Sequence, residues 1–349
     1  MADLPPELDR YSRQVRFAGI GEAGQRALLR SRAVLCGCGA LGTVLAETLV
    51  RSGVGCLRII DRDFVEWSNL QRQVLFDEDD VRQQMPKAIA AAKKLAAINS
   101  SVTIEPVVAD VNHHNIRELV SDADVILDGL DNFETRFLIN DAALDLGRPW
   151  VYGGCVGSHG QTMTVIPGET ACLRCVVESP PEPGAAETCD TAGVIAPAIQ
   201  VVASLEAVAA LKLLSGQRHL IEPTLTIVDV WEGTHRVIRL DHLGDRSSCP
   251  ACGQGRRDWL RGEATSQTTV LCGRNAVQVT PASPATQDLA ALAERWRALG
   301  TVTANPFLAR LQVANTDLEL TVFRDGRAII KGTDDPAAAR TAYARYVGG

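Results

Sequence analysis

The run Gly37-Cys38-Gly39-Ala40-Leu41-Gly42 ends the apolar strand expected at 32–37 and opens a segment with Leu41, Val44, Leu45, Thr48 and Leu49 at helical spacing. A strand that ends in Gly-x-Gly-x-x-Gly and turns straight into a helix leaves few folds open, chiefly a βαβ crossover in a parallel sheet. The three glycines let the backbone approach phosphate oxygens, where unpaired amides and the helix dipole favour negative charge. Residues 56–60, Cys-Leu-Arg-Ile-Ile, form the second strand and close on Asp61. An acidic residue at that spacing reaches ribose hydroxyls.

The alternation continues: helix around 86–99, strand 102–108, helix 115–120, strand 124–130, helix 134–146, strand 149–152. It predicts an α/β fold with a doubly wound, mostly parallel, Rossmann-like sheet. After Gly153 the pattern changes, and 161–167, 224–231 and 235–240 read as strands of an antiparallel extension. A Pro/Gly/Glu-rich stretch, 178–187, lies between them and reads as a loop. The domain expectation is 1–255 for this body, 256–268 for a linker and 269–349 for a small α+β domain of about 80 residues, a size that can fold alone. In that tail, strand, helix (288–299), two strands (307–313 and 318–323) and a strand–helix end follow in order.

Composition excludes several classes. The 349 residues are 46% hydrophobic and 22% charged, enough for a sizeable core. A net charge of −7 disfavours a general nucleic-acid binder, because phosphate neutralisation needs a basic face. No basic and apolar leader opens the chain, and a cytoplasmic location is expected. The longest apolar stretch, 192–214, carries Pro197, Gln200, Glu206 and Lys212, so it reads as a buried core helix and no membrane span is expected.

Cysteine usage points to metal. Ten cysteines are too sparse for a disulfide framework, yet Cys172-Leu173-Arg174-Cys175 and Cys249-Pro250-Ala251-Cys252 are two C-x-x-C pairs. Two such knuckles make a closed tetrahedral site, which is structural Zn²⁺, with paired packed or redox thiols as the blander reading. Cys36 and Cys56 read as strand packing.

The glycine turn alone suits NAD(P) or FAD as well as another nucleotide. A dinucleotide's pyrophosphate is inert, however, and asks for few cations. An α-phosphate under attack, with pyrophosphate departing, asks for Arg, Lys and Mg²⁺ near the helix N-terminus. Arg72 and Lys87 lie within one unit of the turn, Asn69 offers an amide, and Arg13 precedes the fold. Asp131 follows the strand 124–130, an oxygen ligand of the kind Mg²⁺ prefers beside phosphate. Each residue alone reads more readily as solvated surface charge. Together they point to ATP and adenylation rather than hydride transfer.

At this point a resemblance is plain. Arg10-Tyr11-Ser12-Arg13-Gln14, the glycine turn, Asp61-x-Asp63, Asn69-Leu70-Gln71-Arg72-Gln73, Pro86-Lys87-Ala88, Asp128-x-x-Asp131-Asn132-x-x-x-Arg136 and Cys189-x-x-Ala192-Gly193-Val194-x-x-Pro197 resemble the MoeB/ThiF/HesA family, bacterial relatives of ubiquitin-activating enzymes. The match runs from Arg10 to Gly253, and the tail beginning Leu271-Cys272-Gly273-Arg274 is similar to one carried by longer bacterial members. Cys38 and Ala40 depart from the commoner small residues there, but Ala40 still lacks bulk.

The resemblance implies an adenylyltransferase that acts on the C-terminal Gly-Gly of a ubiquitin-like sulfur carrier protein, for molybdopterin, thiamine or a related sulfur cofactor. It implies nucleotide contacts at Gly37, Gly39, Ala40, Gly42, Asp61, Asp63, Asn69, Arg72, Gln73, Lys87, Asp131, Asn132 and Arg136. Asp61 would hold the ribose, Asn69, Arg72 and Lys87 the triphosphate, and Asp131 the Mg²⁺. Arg13 would reach the ATP of the other subunit, which requires a homodimer. Cys189 would be a nucleophile toward the carrier or transferred sulfur, or else a spare thiol. No rhodanese-like domain follows, so a separate sulfur donor protein is expected. Rival readings are a relative that adenylates a carboxylate on tRNA, a silent scaffold for a ubiquitin-like partner, and an NAD-dependent oxidoreductase.

Overall fold

Strand β1 (Arg32–Cys36) shows why this chain makes a layered sheet: Ala33 and Leu35 enter one buried cluster, and Val34 and Cys36 enter the other. A strand apolar on both faces must be covered on both. In this computed structural model the described residues are 5–180, 192–241, 243, 246–264, 268–271, 275–280 and 286–347. The chain divides into two compact units, Met1–Ala264 and Thr265–Gly349.

The first unit adds β2 (Cys56–Ile60), β3 (Thr103–Val107), β4 (Val125–Asp128), β5 (Trp150–Val156), β6 (His159–Val165), β7 (Thr224–Asp229) and β8 (Thr234–Arg239). They form one eight-stranded sheet in the order β3-β2-β1-β4-β5-β6-β7-β8. Neighbours from β3 to β5 are parallel, and those from β5 to β8 are antiparallel. The doubly wound fold with an antiparallel extension is as the alternation predicts. β5 runs on to Val156, past the expected end at 152, because β6 pairs with its whole length.

Helices Ala40–Ser52, Lys87–Ile98 and Ala196–Leu214 contribute to the core on one face, and Ile116–Val120 and Phe133–Leu146 to the core on the other. Ala196–Leu214 is long and apolar enough to cross a membrane. Here it lies on the sheet, with Ala198, Ile199, Val202, Ala203, Ala207 and Ala210 buried.

Part of the expected linker belongs to the first unit. Leu260 is buried, and the amides of Trp259 and Leu260 donate to Asp141 Oδ2 on the Phe133–Leu146 helix, so 256–264 are pinned down. Residues 181–187 of the expected loop lie outside the described residues, as do Cys189 and Cys272.

The second unit is a six-stranded antiparallel sheet, β11-β12-β13-β14-β10-β9. Its strands are β9 (Thr268–Leu271), β10 (Ala276–Val279), β11 (Gly300–Ala304), β12 (Leu308–Val313), β13 (Glu319–Phe323) and β14 (Ala328–Lys331). Helices Leu289–Trp296 and Pro336–Tyr346 contribute Leu292, Trp296, Ala339 and Tyr343 to its core. The sequence pattern anticipates four strands. The largely exposed edge strand β11, Gly-Thr-Val-Thr-Ala, has little apolar alternation to betray it.

Candidate functional site at the carboxyl edge of the sheet

Register builds the site. Cys36 pairs with Ile60 and with Asp128, so β1, β2 and β4 end side by side, and Gly37, Asp61 and Gly129 share one edge. The order reverses between β1 and β4, the crevice where open α/β sheets take ligands. Gly37 has φ +91°, and a Cβ there would lie 2.6 Å from Gly129 O. A Cβ on Gly129 would lie 2.2 Å from Gly37 O, and one on Gly42 2.1 Å from the same oxygen. Two glycine-bearing turns therefore touch backbone to backbone, and any side chain would force them apart. The helix that follows begins at Gly39 with no side-chain cap, which leaves its first amides for an anion.

Asp61 is buried beneath this turn. Its Oδ2 accepts the Cys38 amide at 2.6 Å, and its Oδ1 accepts the Asp63 amide at 2.6 Å. Burial raises its pKa, with the Lys87 charge opposing. Asp61 thus clamps the glycine turn to the end of β2. Lys87 opens its helix with the side chain 7% exposed and Nζ 3.3 Å from Asp63 Oδ2. Its backbone amide donates to Asp63 O, so cation and loop move together.

The segment after Asp63 comes back over the turn. Asn69 is buried and its Oδ1 accepts the Glu66 amide at 3.0 Å. Gln73 is buried with Oε1 unpartnered, and its Nε2 lies 4.0 Å from where a Cβ on Gly39 would be. An unsatisfied buried acceptor beside the glycine turn leaves a place for a donor from a ligand. Arg72 is half-buried, with Nη1 donating to Ser68 O at 2.7 Å.

On the β4 side, Asp131 is exposed at the mouth of the crevice. Asn132 caps the Phe133–Leu146 helix through the Thr135 amide. Arg136 points inward: Nε donates to Asp128 Oδ2 at 3.0 Å, and Nη2 donates to Leu130 O at 2.7 Å and Gly153 O at 2.8 Å. It lies over the rings of Tyr152 and Phe133. Burial raises the pKa of Asp128 while Arg136 opposes the rise. Glu206, fully buried in the middle of the Ala196–Leu214 helix, has both carboxyl oxygens unpartnered, and burial pushes its pKa well up. Its carboxyl fills the space a Cβ on Gly153 would need. Sequence reasoning names Asp128 only within a motif and Glu206 only as a charge that argues against a membrane span.

Arg13 stands apart from this group. Tyr11 lies against Gly53, and Gln14 Nε2 donates to Ser52 O, so the segment sits at the C-terminal end of the Ala40–Ser52 helix. Thirteen residues of helix span about 20 Å, more than an arginine side chain covers. Arg13 is exposed there.

The cysteine pairs converge elsewhere. Cys172 Sγ lies 3.8 Å from Cys175 Sγ and 3.6 Å from Cys249 Sγ, and Cys175 Sγ lies 3.4 Å from Cys252 Sγ. All four sulfurs fall within 4.8 Å of one another. A tetrahedron with metal–sulfur bonds of ~2.3 Å has sulfur–sulfur edges of about 3.8 Å, so the cage fits Zn²⁺, whereas a disulfide needs ~2.05 Å. Asn140 Oδ1 accepts the Leu173 amide and Arg174 pairs with Asp258, which fix the knuckles to the body.

Comparison with known proteins agrees with this geometry. The ThiF family matches residues 11–251. A Bacillus subtilis "Sulfur carrier protein ThiS adenylyltransferase" is 48% identical over 340 residues, 97% of this chain and 99% of that protein. An Escherichia coli protein of the same name is 36% identical over 250 residues, 71% of this chain and 96% of its own length. Among solved structures, E. coli MccB with ATP superposes with a TM-score of 0.60 at 25% identity, over 72% of this chain and 77% of that one. A family match over residues 11–251 and a relative 48% identical over nearly the whole chain show that the chain belongs to the ThiF family.

Proposed function

We propose that this chain is an ATP-dependent adenylyltransferase acting on the C-terminal glycine of a ubiquitin-like sulfur carrier protein, with a ThiS-type carrier favoured by the full-length likeness to the B. subtilis enzyme. The observation that carries the reading is the convergence of the glycine turn, Asp61, the Lys87–Asp63 pair and Asp131 on one sheet edge.

The carrier's terminal carboxylate is already ionised, so no general base is needed. Its oxygen bonds to the α-phosphorus of ATP, the bond to the β-phosphate oxygen breaks, and pyrophosphate leaves with the electron pair. Catalysis is then positioning and charge neutralisation. The amides of Ala40, Leu41 and Gly42 and the side chains of Asn69, Arg72 and Lys87 receive the phosphates, Gln73 accepts from the nucleotide, and Asp61 receives the ribose. Asp131 would hold Mg²⁺, which would supply charge neutralisation for the phosphates. Arg136 holds the loop that carries Asp131, through Leu130 O. Arg13, too far from its own phosphate turn, serves the site of a second copy, which makes the working form a homodimer. The four-cysteine cage holds structural Zn²⁺. Cys189 is the nucleophile toward the activated carrier: its thiolate bonds to the acyl carbon and AMP leaves, and sulfur comes from a separate donor protein.

The exposed hairpin of β7 and β8 offers a place for the body of the carrier. Trp231, Val237 and Ile238 are 78%, 55% and 44% exposed along it, beside Arg236.

ATP–pyrophosphate exchange with ThiS-like and MoaD-like carriers, each against a version lacking its last glycine, tests the reading. Exchange that needs the intact tail and is lost in Asp131→Ala is expected. A folded, ATP-binding protein that shows no exchange with any carrier refutes it.

A further inference from the structure

Arg62, the middle residue of Asp61-Arg62-Asp63, follows β2 and reaches the end of β3. Nη1 lies 2.8 Å from Asp110 Oδ1, just beyond the end of β3, and Nε lies 3.7 Å from Asp63 Oδ1. Asp110 is itself fixed: its carbonyl accepts the side-chain amides of Asn112 at 3.1 Å and Asn115 at 2.8 Å. Asn115 Oδ1 in turn accepts the Asn112 amide at 2.9 Å. The guanidinium is therefore fixed by Asp110 and flanked by Asp63, while 25% of the side chain remains open.

The sheet order says what lies over it. Phosphates at the turn after β1 and ribose at Asp61 after β2 set a nucleotide running outward along the order β1, β2, β3. Its base then falls beyond Asp61 on the β3 side, over the Arg62–Asp110 bridge. The Arg62 charge is already compensated by Asp110 and Asp63, with Asp131 adding to the field, so little is left for a phosphate. A guanidinium so compensated still offers its flat faces to a ring. A planar, weakly hydrated guanidinium stacks on aromatic rings, and one fixed in advance loses little entropy on doing so.

We propose that Arg62, held by Asp110, is the platform on which the adenine ring of ATP stacks, making it a base-binding residue of this site. The inference rests on the adenylation reading above and adds a group outside the motif positions already assigned to the nucleotide.

Calorimetric binding to the full-length protein tests it, with MgATP, AMP and inorganic tripolyphosphate as ligands. Arg62→Lys keeps a cation beside Asp110 but removes the plane. It is expected to melt as wild type does, to bind MgATP and AMP 5–30-fold more weakly, and to bind tripolyphosphate unchanged. Arg62→Ala is expected to show the same split between base-bearing and base-free ligands. Arg62→Lys binding MgATP and AMP as wild type does, or losing tripolyphosphate in equal proportion, overturns the proposal and leaves Arg62 as an ion-pair tie between β2 and β3. Wild-type protein that binds no MgATP refutes the adenylation reading instead, so the two failures are distinguishable.

Discussion

Arg136→Met removes the cation from the most deeply buried charge pair at the site. Asp128 is fully buried and Arg136 nearly so. After the change Asp128 keeps only backbone donors, the Leu130 amide at 2.9 Å and that of Gly153. Breaking a buried pair from one side costs about 3–5 kcal/mol, because the remaining charge is stranded. For a body of this size each kcal/mol moves the melting temperature by about 2–4 °C, so the variant melts about 6–20 °C lower at pH 8. The sign with pH follows from Asp128. Burial already raises its pKa in the folded state, and losing Arg136 raises it further. A carboxyl whose folded pKa exceeds its unfolded value contributes stability at low pH that is lost as pH rises through the folded pKa. The deficit is therefore largest at alkaline pH and shrinks toward pH 5. Asp128→Asn in the same chain removes the stranded charge and recovers part of the loss. Nη2 also holds Leu130 O, one residue before Asp131, so pyrophosphate exchange falls even where the variant is folded. Circular dichroism melts from pH 5 to 8 on wild type, Arg136→Met and the double variant provide the check. A single variant that melts with wild type at pH 8 refutes the stranded-charge reasoning.

Four further outcomes follow from the same structure. Metal stripping by a chelator lowers and broadens the melt of the first unit, as does Cys175→Ser; an unchanged melt of protein shown by metal analysis to be zinc-free rules out a structural metal. Mixing Arg13→Ala with Asp131→Ala protein restores about a quarter of wild-type exchange, since half the dimers are mixed and one of their two sites is whole; no recovery after confirmed subunit exchange places Arg13 in its own site. Glu206 has a raised folded pKa, so wild type loses stability as pH rises while Glu206→Gln does not, and melts from pH 6 to 9 that run parallel contradict this. Val237→Asp with Ile238→Asp raises the KM for the carrier at least tenfold with ATP affinity unchanged; an unaltered KM removes β8 as the docking edge.

What the sequence shows of this site is whatever is local. The glycine turn, Asp61, the C-x-x-C knuckles and the helix opening at Lys87 are each carried by spacing within a few residues, and each lies where that spacing puts it. The rest depends on register and on contacts far along the chain. Arg62 reads as the variable middle of Asp-x-Asp until β3 brings Asp110 beside it. The resemblance assigns Arg13 to the site, but the packing of Tyr11 and Gln14 at Ser52 and Gly53 puts it at the wrong end of a helix for its own glycine turn. Glu206 is the plainest case. In sequence it is one charge in an apolar helix, and Gly153 is a weakness in a strand. In the fold the missing side chain of one is the space occupied by the carboxyl of the other, beside Asp128 and Arg136. A glycine at 153 is thus required by a residue in a helix beginning forty-odd positions later, and Gly153→Ala should be tolerated only together with a shorter residue at 206. That pairwise dependence has no local signature, because neither member looks unusual until both are seen.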